Sequence, residues 1–298
     1  MNLIQPPLLK KGDKIAIVAS ARKISMEELQ ASIEIFKNWG LEVVLSKNLL
    51  GSDNQYSGKD AERASDLQVA LDDDSIKAII SARGGYGTIR IIDKLDFTKF
   101  KQNPKWVIGY SDITVLHSHI HNFGIETLHA TMPINFSVNK DAVETMRKVL
   151  FGEKFNYEIQ THILNRVGVA EAEVVGGNLS LLYALTGSAS SMHTKGKILF
   201  IEDLDEYLYH LDRMMVSLKR NGKLSDLAGL IVGGMTDMKD NQIPFGKTAE
   251  EIILDAVKEY NYPVCFNFSA GHLDKNLAIP LGRKMKLIVD EKGTNVSF

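Results

Sequence analysis

From Lys14 to Phe123 the chain alternates short apolar runs with longer helical stretches, and this rhythm restricts the fold more than any other feature. Lys14 to Ala19, Glu42 to Leu45, Ala78 to Ser81 and Trp106 to Ile108 read as strands. Ser25-Met26-Glu27-Glu28 has capping-box spacing and opens a helix to Trp39, with Gly40 as its stop. Ala61 to Leu71, Thr88 to Leu95 and Ile113 to Phe123 are also read as helical. Repeated strand–helix units imply a mostly parallel sheet covered by helices. Such sheets form their sites at the carboxyl ends of the strands. Two loops lie there, Arg83-Gly84-Gly85-Tyr86-Gly87 and Gly109-Tyr110-Ser111-Asp112, so they can share one sheet edge.

A helix near Ala142 to Leu150 ends at Gly152, and the polar stretch that follows reads as a linker. The expected division is 1–152, an α/β domain; 153–166, the linker; and 167–298, a second α/β domain packed on the first. In the second half, strands are expected at Ala170 to Val175, Ile198 to Ile201, Leu230 to Val232, Val264 to Phe268 and Met285 to Val289. Leu179 to Leu185, Tyr207 to Arg220 and Ala249 to Tyr260 are its helices.

The formal net charge of -2, without a basic block, argues against nucleic acid as the main partner. Cys265 is the single cysteine, so no intrachain disulfide forms and a reducing compartment is the simplest expectation. Met1 to Asp13 has no apolar core followed by a cleavage site, and no run is long enough to span a bilayer. The expected location is the cytoplasm, with no membrane partner.

Ser111 sits at a sharp strand-to-helix turn, where a hydroxyl is exposed and the helix start aims free N–H groups at the same point. Taken alone, a serine there serves as a helix cap. As a nucleophile it needs a histidine base within hydrogen-bond reach, itself oriented by a carboxylate. His272, in the turn Ser269-Ala270-Gly271-His272-Leu273-Asp274 after a strand, is the candidate base among eight histidines. Glu202, directly after the apolar run ending at Ile201, is the candidate orienting carboxylate. Asp203, Asp205 and Glu206 compete with it but suit capping of the helix near Tyr207 better.

The order Ser, Glu, His is that of α/β-hydrolases, yet Ile113 replaces the final glycine of their nucleophile motif. Candidate oxyanion donors are the backbone N–H groups of Asp112 and Gly85, from the glycine loop where backbone can approach a ligand closely. That loop lacks the spacing of a phosphate cradle. Arg83 beside it is the candidate for a terminal carboxylate, with Gly84 and Asn178 as further substrate contacts. His117, His119 and His121 lack a matching acidic or thiol partner, so packing is expected there and no metal. Cys265, inside an apolar run, is expected in the core.

With these segments assembled, the chain resembles the LD-carboxypeptidase family of serine peptidases, which includes murein tetrapeptide carboxypeptidases and microcin self-immunity proteins. The resemblance runs from Pro6-Pro7-Leu8-Leu9 to Leu281-Gly282 and rests on the two loops above, Gly176-Gly177-Asn178-Leu179, Ile201-Glu202-Asp203 and Gly271-His272. It implies a Ser111-His272-Glu202 triad, a flavodoxin-like N-terminal domain, a C-terminal swivelling-type domain, no cofactor and a homodimer. The implied activity is release of terminal D-alanine from murein tetrapeptides during cell-wall recycling. Alternatives are hydrolysis of a peptidyl or aminoacyl nucleotide conjugate, or peptide binding without catalysis. The chain departs from the family pattern at His129-Ala130-Thr131-Met132-Pro133 and lacks a proline-rich stretch after Glu206, which bears on substrate preference.

Overall fold

A computed structural model describes residues 3–298. Five parallel strands build the first sheet: β1 (Lys14–Val18), β2 (Glu42–Leu45), β3 (Ile76–Ser81), β4 (Trp106–Gly109) and β5 (Thr127–His129), in the order β5-β4-β3-β1-β2. Side chains alternate across a strand, so both faces of a buried sheet must be covered. Ile15, Ile17, Trp106 and Ile108 enter one core with helices α1 (Met26–Asn38) and α5 (Lys140–Phe151). Ala16, Val18, Ile79 and Val107 enter the other, with α2 (Asp60–Asp72), α3 (Thr98–Gln102) and α4 (Thr114–His121). The Ser25–Glu28 capping box is formed in both directions.

The second sheet has seven strands. Those in its parallel half are β7 (Gly168–Asn178), β8 (Ile198–Leu204), β9 (Gly229–Thr236) and β10 (Val264–Cys265). Beyond β7 it turns antiparallel, adding β12 (Lys284–Asp290), β13 (Gly293–Ser297) and β6 (Asn156–Gln160). Helices α6 (Leu179–Ala184), α7 (Leu208–Arg220) and α8 (Ala249–Ala256) cover one face. β11 (Ile279–Leu281) leaves this half of the chain and pairs antiparallel with β5 in the first sheet. The two units are therefore α/β layers tied by a shared strand, not only by the linker.

Three expectations are corrected. The stretch 153–166 is not all linker, because β6 lies within it; Tyr157 and Ile159 point inward while Asn156, Glu158 and Gln160 are exposed. Thr88 to Leu95 is not one helix but two 3-10 turns, Thr88–Arg90 and Ile92–Lys94. Its first N–H and hydroxyl are engaged elsewhere, by Asp112 and Ser20. The helix expected from Ile113 is α4, shorter and preceded by a 3-10 turn over Ser111–Ile113.

Candidate active site

β4 ends in glycine for a steric reason. Gly109 has φ +152°, and a Cβ there would fall 2.8 Å from Ile113 Cγ1. Tyr110 is extended, and Ser111 then adopts φ +61°, the left-handed region that costs a non-glycine residue about 1–2 kcal/mol. The turn lifts the Ser111 side chain out of the sheet edge. His117 braces it from behind, with Nε2 2.9 Å from the Gly109 carbonyl and Nδ1 2.9 Å from Thr127 Oγ1. Burial drives the His117 pKa down to about 4, so this histidine stays neutral.

The glycine loop lies against the serine. A Cβ on Gly84 would sit 3.1 Å from Ser111 Cβ and 3.3 Å from its Oγ. The fully buried Asp112 carboxylate accepts the Thr88 N–H at 2.8 Å, fastening the end of the loop to the Ser111 turn. That side-chain role was not visible in the sequence, where only the Asp112 backbone drew notice.

Strand alternation decides between the two adjacent acids of β8. Glu202 and Asp203 project to opposite faces, and both are buried. Asp203 accepts from Asn178 Nδ2 at 2.9 Å and from the Ser180 N–H and hydroxyl at 2.9 and 2.8 Å, so it serves the start of α6. Burial, helped by the charge of Glu202, lifts its pKa to about 6. The capping of α7 expected from Asp203 to Glu206 is absent; Tyr207 occupies that cap with no side-chain bond, and Glu206 instead meets His210.

Glu202 faces His272. Its Oε2 lies 2.7 Å from His272 Nδ1 and accepts the His272 backbone N–H at 3.2 Å. The Thr236 hydroxyl donates to the His272 carbonyl at 2.8 Å, so the turn is held at both ends of one residue. Gly271, at φ +102°, is required there, since a Cβ would fall 2.6 Å from Glu202 Oε2. His272 Nε2 then lies 3.1 Å from Ser111 Oγ. Burial pulls the His272 pKa down, but the hydrogen bond and charge of Glu202, with the charge of Asp203, outweigh it and raise the pKa above the ordinary value. The ring edge packs on Tyr110 at 5.0 Å between centroids.

These groups open on a cleft of about 500 Å³ between the two sheets. Its lining includes Arg22, Arg83 and Gly85 of the first unit and Asp205, Glu206 and His272 of the second. Asn178, expected to touch substrate, does not line it. It is buried as the N-cap of α6 and bonded to Asp203. Arg83 does line it, but its Nη1 is turned to the Lys23 carbonyl at 3.3 Å and Glu28 at 3.9 Å. Arg22 was missed because an isolated surface arginine carries no spacing signal. His119 meets Ser190, His121 meets Lys197, and Cys265 is buried with its pKa pushed up to about 11. A second cleft of about 570 Å³ beside His121 contains no serine or cysteine.

A hydroxyl, an imidazole and a carboxylate in hydrogen-bond sequence at the carboxyl end of parallel strands define a hydrolase-type site on a two-unit α/β fold. Two family models match the chain: the LD-carboxypeptidase N-terminal domain over residues 15–130 and the LD-carboxypeptidase C-terminal domain over residues 171–287. The chain belongs to the LD-carboxypeptidase family. It is 36% identical over 296 residues to a probable murein peptide carboxypeptidase of Bacillus subtilis, covering 97% of this chain and 92% of that one. Among solved structures, a muramoyltetrapeptide carboxypeptidase from Oxalobacter formigenes superposes with a TM-score of 0.86 at 23% identity, covering 95% and 97% of the two chains. An MccF-like protein from Bacillus anthracis does so with a TM-score of 0.86 at 24% identity, covering 99% of both. The family membership and the Bacillus subtilis relative support carboxypeptidase activity, and the two solved structures show the shared fold.

Proposed function

We propose that this chain is a serine LD-carboxypeptidase that cleaves the L,D-peptide bond of murein tetrapeptides and releases terminal D-alanine. The observation that carries this reading is the unbroken row from Ser111 Oγ through His272 to Glu202, at 3.1 and 2.7 Å. The name of the Bacillus subtilis relative supports the murein peptide as substrate.

In this scheme Ser111 Oγ attacks the carbonyl carbon preceding D-alanine while His272 Nε2 takes its proton. Glu202 holds the Nδ1–H tautomer and stabilises the imidazolium. The Asp112 and Gly85 N–H groups receive the oxyanion; such donors are worth about 3–4 kcal/mol each in barrier. The C–N bond then breaks, and His272 returns the proton to the leaving amine. Water, deprotonated by His272, then attacks the acyl carbon; the C–O bond to Ser111 breaks, His272 returns the proton to Oγ, and the tripeptide is released. The family resemblance supports a homodimer and a part in cell-wall recycling, and the lone free thiol fits a reducing, cytoplasmic compartment.

The test is a comparison of kcat/KM on murein tetrapeptide and on an aminoacyl nucleotide conjugate. Preference for the tetrapeptide is expected. Preference for the conjugate would replace this reading with the immunity-type one.

A further inference from the structure

We infer that Arg22 is the residue that captures the terminal carboxylate of the substrate, and so makes the site an exopeptidase. The inference rests on the reading just proposed. Two arginines line the cleft. Arg83 is engaged by the Lys23 carbonyl and Glu28, which fastens the segment carrying Arg22 to the glycine loop. Arg22 makes no ion pair among the described residues and is exposed.

Its position is set by Gly85. A Cβ there would fall 2.6 Å from Arg22 Cγ, 2.7 Å from Cδ and 3.1 Å from Nε, so the arginine stem lies directly on the glycine. Gly84, one residue before, is the glycine pressed on Ser111. The arginine stem is thus anchored one residue along the glycine loop from the glycine that touches Ser111. In the substrate, the terminal carboxylate carbon lies about one residue's length, roughly 3.5 Å, from the scissile carbonyl carbon. A guanidinium there meets a carboxylate with two parallel hydrogen bonds, which a lysine cannot reproduce. The two acids that also line the cleft, Asp205 and Glu206, are paired with Lys239 and His210, so neither holds Arg22.

The experiment measures kcat/KM for murein tetrapeptide and for its C-terminal amide, on the wild type and on Arg22→Ala, Arg22→Lys and Arg83→Ala. The wild type is expected to prefer the free acid. Arg22→Ala should lower kcat/KM for the acid about 10- to 100-fold, mainly through KM, and lower it far less for the amide, so that the acid preference is lost. Arg22→Lys should restore part of the preference, and Arg83→Ala, which only loosens the segment carrying Arg22, should lower the acid-to-amide ratio less than Arg22→Ala does; a larger loss in Arg83→Ala would overturn the inference. If Arg22→Ala keeps the acid preference, or the wild type has none, the inference is overturned while the peptidase reading stands. If the wild type hydrolyses neither peptide, the peptidase reading falls and the inference with it.

Discussion

Ser111 holds φ +61° for the sake of where its hydroxyl points, and this strain is measurable in a pair of inactive variants. Ser111→Ala and Ser111→Gly both lose the hydrogen bond to His272 Nε2, so that loss cancels in their difference. Alanine keeps the left-handed penalty of about 1–2 kcal/mol. Glycine removes it but gives up about 0.5–1 kcal/mol through its freer unfolded chain. Ser111→Gly is therefore expected to be the more stable by about 0.5–1 kcal/mol, or about 1–1.5 °C in Tm for a chain of this size. Urea denaturation followed by tryptophan fluorescence reads this as a higher midpoint at unchanged slope, with Trp106 reporting on the strand that leads into the turn. If Ser111→Ala is as stable as Ser111→Gly, the turn is not strained and the account of how it aims the hydroxyl fails.

Glu202→Gln should keep the Nδ1–H tautomer, because the His272 backbone N–H holds the amide oxygen toward the ring, while removing the charge that stabilises the imidazolium. Its kcat is expected to fall about 100- to 1000-fold. His272 must be neutral to act as base, so in the wild type activity is lost as pH falls through its raised pKa. In Glu202→Gln burial dominates and that acid limb moves to lower pH; an unmoved limb would show that Glu202 does not set it. Gly271→Ala puts a methyl 2.6 Å from Glu202 Oε2 at φ +102°. It should cost about 1–3 kcal/mol of stability and more than tenfold in kcat. Full activity from that variant would mean that the Glu202–His272 contact is dispensable.

β1, β3 and β4 were legible because both of their faces are largely buried and they read as nearly unbroken apolar runs. β6 was not, because its exposed residues alternate with Tyr157 and Ile159 in a stretch that is polar on average. β5 and β11 are three residues each, too short for any periodicity to register. Ser111, Glu202 and His272 could each be picked out because a reactive residue type stood at a strand end beside a glycine or an acid. Asn178 stood in a similar setting, yet its side chain is consumed by Asp203 and the cap of α6, a contact made across 25 residues. Arg22 owes its position to packing on Gly85, more than sixty residues away, and nothing in its own neighbourhood signals that.

Mass spectrometry of a murein tetrapeptide digest, run in parallel with wild type and Ser111→Ala, bears most directly on whether Ser111 is the nucleophile of an L,D-carboxypeptidase. The wild type should convert the tetrapeptide to tripeptide and one free D-alanine, leave a peptide ending in L-alanine intact, and lose all turnover in Ser111→Ala while that variant stays folded. A tetrapeptide untouched by the wild type, or cut as fast by folded Ser111→Ala, would contradict it.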